Sequence, residues 1–172
     1  PGSVFKLVTA AAAIDNINDI ESRVFHCDGE YDINGDIVTC PLVHGDVNFD
    51  DALAESCNGA FAEMSLELGG DLLQKYAEIA GFNSSLKVDG IETAKGVVNA
   101  KDAIGADLAW AGIGQYTDMA NPLNFMAYVG AIANDGVLVY PKIIKNNDLT
   151  SLIKKYTGSS QKRILSYDTA VN

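Results

Sequence analysis

Basic residues are scarce in this 172-residue chain. It has 12 Lys and Arg against 23 Asp and Glu, a net charge of −11 at pH 7, and no basic run longer than two residues, as at Lys154-Lys155. Because contacts to phosphates need concentrated Lys and Arg, the composition argues against a nucleic-acid partner.

Long apolar runs are also missing. No run reaches the roughly 18 residues of a membrane span, and the first residues lack the basic, apolar and small-residue regions of a signal peptide. The chain opens at Pro1 without an initiator methionine, so we expect a piece of a longer protein. Its length fits one domain, and we expect a single partial domain over residues 1–172.

Cysteine is rare too, with only Cys27, Cys40 and Cys57. Three cysteines fit neither a dense disulfide scaffold nor a CxxC metal motif. A zinc site of His26, Cys27, Cys40 and His44 can be imagined, but these spacings match no common ligand pattern. We therefore expect no metal and no cofactor, with Cys57 packing as a small buried hydrophobe.

The residues that are present predict several helices and few strands. The helices are bounded by capping residues, glycine pairs and a proline at the first position. They are expected at 4–14 with Ser3 near the N-cap, from Phe49 after Asn48, from the interruption at 56–59 to Gly69-Gly70, at 71–81, from Pro122 after Asn121 and, weakly, at 149–156. Residues 82–120 show no sustained period and are expected to be mostly loop.

The dipeptide Asn34-Gly35 predicts a hairpin with a type I′ turn, because both residues tolerate positive φ. Such a turn pairs residues whose numbers sum to 69 and places Cys27 diagonal to Cys40 on one face. A disulfide between them would then need a bulge or a slip. A further strand is expected after the turn at 134–136, in "VLVYPKII".

The opening stretch "PGSVFKLVTAAAA" carries a candidate nucleophile. Ser3 and Lys6 share a helical face, and apolar surroundings would lower the pKa of Lys6 toward that of a base able to activate the Ser3 hydroxyl. The helix N-terminus would favour negative charge near Ser3. The spacing alone is weak, because a capping serine and a lysine extending to solvent give the same pattern. Three other pairs share it: Ser84-Lys87, Ser151-Lys154 and Ser159-Lys162.

A second candidate is "ESCNGAF", which contains the chain's single Ser-x-Asn, Ser56 and Asn58. A hydroxyl there can relay a proton, and an amide can donate to a substrate carbonyl and hold a lysine. The alternative is that both residues cap the following helix.

"PGSVFK" and "SCNGAF" resemble the first two active-site motifs of the penicillin-binding proteins, the D,D-transpeptidases of peptidoglycan synthesis. "HGDVNFDDALAESCN", "AGIGQY" and "NPLNFMAYVGAIANDGVLVYPKII" are similar to further segments of that family, in the same order. The resemblance implies a mainly α fold with a small β-hairpin. It would be the helical subdomain of the serine β-lactamase/transpeptidase-like fold, with the central sheet largely missing.

The resemblance also implies roles. Ser3 would attack a stem peptide ending in D-Ala-D-Ala, with Lys6 as the base, and Ser56 would pass a proton to the leaving nitrogen. Substrate would be bound by Asn58, Gly114 and Gln115.

The implied partners are the stem peptide, β-lactam antibiotics that would acylate the same serine, and the cell-wall synthesis complex. The implied location is the outer face of the bacterial cytoplasmic membrane, reached only through a missing N-terminal anchor. That oxidising location favours a Cys27–Cys40 disulfide over a zinc site at these two residues.

One departure from the family limits these expectations, because the third motif, Lys-Thr-Gly, is absent. We interpret "KKYTGSS" at 154–160 as a coincidence. Since the strand with that motif normally supplies one oxyanion-hole NH, we expect this chain alone to be nearly inactive. The alternatives are a β-lactamase or β-lactam sensor, for which Glu63 and Glu67 offer only a solvated helix face, and a non-catalytic scaffold of the same fold.

Overall fold

The structure, a computed structural model, describes residues 1–143 and 161–172. Contacts group the chain into two compact units, residues 1–78 with 97–119 and residues 79–96 with 120–172. The prediction of one partial domain over 1–172 stays a prediction. The expected helix at 149–156 and the pair Ser151-Lys154 lie outside the described residues, as does Ser159.

The first unit is mainly helical, with two small antiparallel sheets. After a 3₁₀ turn at Gly2–Phe5 its helices are α1 Lys6–Asn16, α2 Phe49–Ala54, α3 Asn58–Ile79, whose last residue falls in the second unit, and α4 Gly105–Gly112. Its strands are β1 Phe25–Cys27, β2 Glu30–Ile33, β3 Asp36–Thr39 and β4 Gly45–Val47.

The hairpin prediction is confirmed. Strands β2 and β3 pair from Glu30 with Thr39 to Ile33 with Asp36, so the paired numbers sum to 69. Asn34 and Gly35 have φ values of 55° and 98°, the signs that a type I′ turn requires. Strand β1 is not part of this hairpin, because it pairs with β4, which the sequence analysis did not predict.

The predicted interruption of the helices is also found. Asn48 caps α2 by accepting the backbone N–H of Asp51, and α2 ends just before the turn that carries Ser56. Helix α3 is broken at Gly69, whose φ of 76° and ψ of 163° are not helical. The glycine pair therefore separates two helical segments, as the sequence indicated.

The expectation of mostly loop over 82–120 is confirmed, because these residues lie in turns and irregular segments apart from α4 and the short paired strands Lys87–Val88 and Ile91–Glu92. Helix α4 itself was not predicted, because a short helix of small residues such as "GADLAWAG" shows no clear apolar period. Helix α4 packs against α1, where the buried Thr9 hydroxyl donates to the carbonyl of Gly112 at 2.7 Å. A Cβ on Gly112 would lie 1.7 Å from Ser65 Oγ of α3, so only glycine fits where α4 meets α3.

The described residues of the second unit form two further helices and two small antiparallel sheets: α5 Pro122–Ile132, α6 Tyr167–Val171, β5 Lys87–Val88 with β6 Ile91–Glu92, and β7 Val137–Val139 with β8 Gln161–Arg163. Asn121 caps α5 as predicted, accepting from the backbone N–H groups of Leu123 and Asn124. The predicted strand after residue 136 is present but short.

Among the described ranges, 1–143 and 161–172, no helix combines the length and apolar character needed to cross a bilayer.

Candidate active site

The chain enters the site through the 3₁₀ turn that precedes α1. This turn begins after Pro1, and no side chain caps it, so the predicted capping role of Ser3 is wrong. Ser3 lies within the turn and is exposed, and its carbonyl accepts the backbone N–H of Lys6. In a 3₁₀ turn side chains three residues apart lie one above the other, so Ser3 and Lys6 share a face, as the spacing predicted.

Lys6 is the centre of the site. Its side chain is 1% exposed, and its ammonium lies over the Phe61 ring, 5.4 Å from the centroid. Nζ donates to Ser56 Oγ at 2.9 Å, to the Ser56 carbonyl at 2.5 Å and to Asn58 Oδ1 at 2.7 Å. Residues separated by fifty positions therefore meet at one amine.

Burial changes the acid–base character of Lys6. It disfavours the ammonium and lowers the pKa of Lys6 from 10.5 to about 8, while charge on Cys40 and Cys57 opposes the shift. A pKa near 8 leaves a sizeable fraction of neutral amine around neutral pH. Neutral lysine can accept a proton, which is what a general base must do. The exposed Lys87 of the Ser84-Lys87 pair shares the spacing but not the burial.

The turn before α3 holds the second motif in place. Ser56 has a φ of 57°, an uncommon conformation for a residue with a side chain. Asn58 Nδ2 donates to the Thr39 carbonyl at 2.8 Å, and its backbone N–H donates to Cys40 Sγ at 3.2 Å. The amide oxygen of Asn58 is thereby directed to Lys6, so both residues do more than cap the helix.

Gly114 and Gln115 follow α4 and lie beside the first turn. The Gly2 N–H donates to the Gly114 carbonyl at 2.8 Å. Gly114 is buried with a φ of 80°, and Gln115 is exposed, with its amide nitrogen 3.5 Å from where a Cβ on Gly2 would stand. The structure thus brings both residues to the turn that carries Ser3.

The cysteines differ from the expectation. All three thiols are free, so the predicted Cys27–Cys40 disulfide is not formed. Cys27 lies in the sheet of β1 and β4 and Cys40 follows the separate hairpin, and each Sγ lies 3.4 Å from His44 Nδ1 instead of being bonded to the other sulfur. Cys57 is fully buried, as expected.

The environments of two thiols differ. Burial acts against ionisation of Cys27, but hydrogen bonds with His44 outweigh it and lower the pKa of Cys27 to about 6. Burial raises the pKa of Cys57 to about 12.

Asp118 was missed by the sequence analysis. It is 8% exposed, and neither carboxylate oxygen has a hydrogen-bond partner among the described residues. Burial raises the pKa of Asp118 from 3.8 to about 7. No pattern in the sequence marks an aspartate as buried when it stands in an irregular segment.

Asp118 gives a first prediction. Because its pKa is higher in the folded chain, the folded state binds more protons between pH 3.8 and 7, so this group costs stability as pH rises through that range. We expect Asp118→Asn to raise the free energy of unfolding by about 2 kcal/mol or more at pH 8 and to change it little at pH 4. Urea unfolding at the two pH values measures this, and an equal effect at both would contradict it.

Comparison with known proteins identifies the family to which this chain belongs. The sequence model described as penicillin binding protein transpeptidase domain matches residues 1–170. The chain belongs to this transpeptidase domain family. It is 28% identical over 177 residues to stage V sporulation protein D of Bacillus subtilis, covering 99% of this chain and 27% of that protein. It is also 28% identical over 181 residues to peptidoglycan D,D-transpeptidase PbpA of Mycolicibacterium smegmatis, covering 99% and 36%.

The fold agrees with the family. The D,D-transpeptidase domain of a peptidoglycan glycosyltransferase from Eggerthella lenta superposes with a TM-score of 0.81 at 28% identity, covering 99% of this chain and 45% of that one. The mainly helical character with small sheets is therefore that of a penicillin-binding protein transpeptidase domain. The chain spans between a quarter and four tenths of the curated relatives that it matches.

Proposed function

We propose that the chain is the helical part of a serine D,D-transpeptidase domain that cross-links peptidoglycan, with the central sheet of the domain largely outside these residues. The contacts of Lys6 with both residues of the Ser56-x-Asn58 motif carry the proposal. A buried amine with a lowered pKa, on the same face as an exposed serine one turn earlier, is the arrangement that can activate a hydroxyl nucleophile.

The proposed reaction follows from these contacts. Lys6 takes the proton of the Ser3 hydroxyl as the Ser3 oxygen attacks the carbonyl between the two D-alanines of a stem peptide. A tetrahedral intermediate forms first and then gives the acyl-enzyme. Ser56, 2.9 Å from Lys6, passes the proton to the leaving nitrogen, and the terminal D-alanine departs. An amino group on a neighbouring peptidoglycan strand then attacks the ester carbonyl, and the Ser3 hydroxyl is released.

Asn58, Gly114 and Gln115 are proposed to bind the substrate backbone. The Asn58 amide is fixed at both ends, by Lys6 and by the Thr39 carbonyl, so it is pre-organised before substrate arrives. Gly114 fixes the first turn through Gly2, and the exposed Gln115 is free to reach a ligand beside that turn.

The partners follow from the same chemistry. Penicillin-binding protein A of Mycobacterium tuberculosis, a neighbour in fold with a TM-score of 0.76, forms an acyl-enzyme with imipenem. We propose that β-lactams likewise acylate Ser3 of this chain. Penicillin-binding protein PBP2 of Helicobacter pylori forms a complex with MreC, and we propose a partner in the cell-wall synthesis machinery here too. The corresponding location is the outer face of the cytoplasmic membrane.

Covalent labelling tests the proposal. The chain has no Lys-Thr-Gly, so loss of one oxyanion donor is expected to slow acylation by about 100- to 1000-fold relative to an intact domain. After prolonged exposure to millimolar penicillin, mass spectrometry should find one adduct on the peptide containing Ser3. The peptide with Ser84, which has the same spacing to Lys87, is the internal control and should stay unmodified. An adduct elsewhere, or none, would contradict the assignment of Ser3.

A further inference from the structure

Three cysteines and one histidine converge beside the second motif. Cys27 at the end of β1, Cys40 after β3, His44 before β4 and Cys57 before α3 place their Sγ and ring nitrogen atoms within 4.8 Å of one another. The zinc set considered from the sequence contained His26 in the place of Cys57. In the structure His26 is exposed and hydrogen-bonded to Asp46, and Cys57 completes the cluster. The ligands come from three separate segments, since Cys40 and His44 share the loop between β3 and β4, and this is why no common spacing motif predicts them.

The separations fit a tetrahedral metal centre. Cys27 Sγ and Cys40 Sγ each lie 3.4 Å from His44 Nδ1. With zinc–sulfur bonds of about 2.3 Å and zinc–nitrogen bonds of about 2.0 Å, tetrahedral angles separate sulfur from nitrogen by about 3.5 Å. Two of the six donor–donor separations are therefore those of such a tetrahedron, and the others are at most 4.8 Å.

Two thiols of the cluster approach the same nitrogen of His44, although Cys27 Sγ can also donate to the Leu42 carbonyl at 3.8 Å. A neutral imidazole Nδ1 carries either one proton or one lone pair, so it can pair with only one of the two thiols at 3.4 Å. A cation at the centre would satisfy the nitrogen and all the sulfurs together.

The surroundings match the outer shell of a zinc site. His44 Nε2 faces the Glu55 carboxylate at 3.8 Å, and the His44 side chain is 3% exposed. A histidine that ligates zinc through one nitrogen commonly directs the other to a carboxylate. The Asn58 N–H donates to Cys40 Sγ at 3.2 Å, the kind of bond that stabilises a thiolate ligand.

We propose that Cys27, Cys40, His44 and Cys57 bind one Zn²⁺ ion as a structural site that anchors the second motif. Three sulfurs and one nitrogen select a soft cation over Mg²⁺ or Ca²⁺, and four protein ligands leave no open position for a reacting water. Cys57 stands between Ser56 and Asn58, so the ion would fix the turn that holds Lys6. The proposal does not rest on the transpeptidase activity, because metal binding is measured without substrate.

Cobalt substitution on the unaltered chain is the first test. The chain is reduced with a non-chelating phosphine, exchanged into metal-free buffer and titrated with Co²⁺. We expect one equivalent to produce the visible bands of tetrahedral cobalt with a thiolate charge-transfer band in the near ultraviolet, and one equivalent of Zn²⁺ to remove them. When free Zn²⁺ exceeds the dissociation constant a thousandfold, the melting temperature should rise by about 10 °C.

Matched variants locate the site. Cys40→Ser and Cys57→Ser should each weaken Zn²⁺ binding by more than about 100-fold, beyond the usual effect of losing an outer-shell partner. His26→Ala should bind one equivalent as the unaltered chain does. Absence of cobalt–thiolate bands from the fully reduced chain would overturn the proposal, whether or not the variants fold. Equal affinity in the chain and both serine variants would also overturn it.

Discussion

Replacing Lys6 by methionine is expected to slow acylation of Ser3 by penicillin about 10²- to 10⁴-fold, the usual contribution of a general base. Methionine keeps most of the buried volume but cannot accept a proton. The comparison is the rate of adduct formation by mass spectrometry in the unaltered chain and in Lys6→Met. Lys87→Met, in the exposed pair with the same spacing, is the matched control and should leave the rate unchanged.

The pH profile separates a base from a merely structural lysine. In the unaltered chain the acylation rate should rise with pH and level off above about 8, where Lys6 is neutral. In Lys6→Met this rise should disappear. A retained rise in the variant would show that another group provides the base.

Lys6 also makes stability depend on pH. Its pKa is about 8 in the folded chain and 10.5 as an ordinary lysine, so the unfolded state binds more protons between these values. The free energy of unfolding should therefore gain up to about 3 kcal/mol from this group as pH rises from 8 to 10.5. The gain should be absent in Lys6→Met, and urea titrations across this window measure it.

Gly114→Ala is expected to destabilise the first unit by about 3 kcal/mol or more, combining backbone strain with overpacking. The φ of 80° is unfavourable for alanine, and its Cβ would lie 2.3 Å from the Gly2 carbonyl oxygen and 2.6 Å from Phe5 Cβ. Neither neighbour can move without displacing the turn of Ser3. Acylation of Ser3 should therefore slow in Gly114→Ala even under conditions where the variant is folded.

Gly130→Ala is the control for this substitution. Gly130 lies within α5, its φ is not positive, and a Cβ there would have no atom within 4 Å. Alanine should stabilise that helix by up to about 1 kcal/mol. Thermal unfolding of both variants measures the contrast, and a stable Gly114→Ala chain would show that the first turn is not packed as described.

The sequence predicted features that are decided locally. The type I′ turn at Asn34-Gly35 and the cap at Asn121 depend on residues close in the chain, and both were found where expected. The shared face of Ser3 and Lys6 is likewise a local feature, because residues three apart in a helical turn lie one above the other. Recognition of the second motif depended on family resemblance, because nothing local shows that Asn58 reaches Lys6.

What the sequence could not predict depends on distant contacts. Strand β1 pairs with β4 and not with its neighbour β2, and this pairing brings Cys27 to one cluster with Cys40, His44 and Cys57. Helix α4 lacked a periodic signal because it packs through small residues, such as Gly112 against Ser65. The charge state of Asp118 depends on burial, which no short pattern encodes.

The 3₁₀ turn at Gly2–Phe5 separates Ser3, the proposed nucleophile, from the regular helix that begins at Lys6. Ser3 belongs to a short turn with less favourable hydrogen-bond geometry, whereas Lys6 begins the regular helix α1 and is tied to the second motif. The exposed Ser3 side chain can therefore change rotamer without unwinding α1 or releasing the Lys6 amine, while the hydrogen bond from Gly2 to Gly114 holds the turn itself. Amide hydrogen exchange at Ser3 and Val4 should accordingly be faster than along α1.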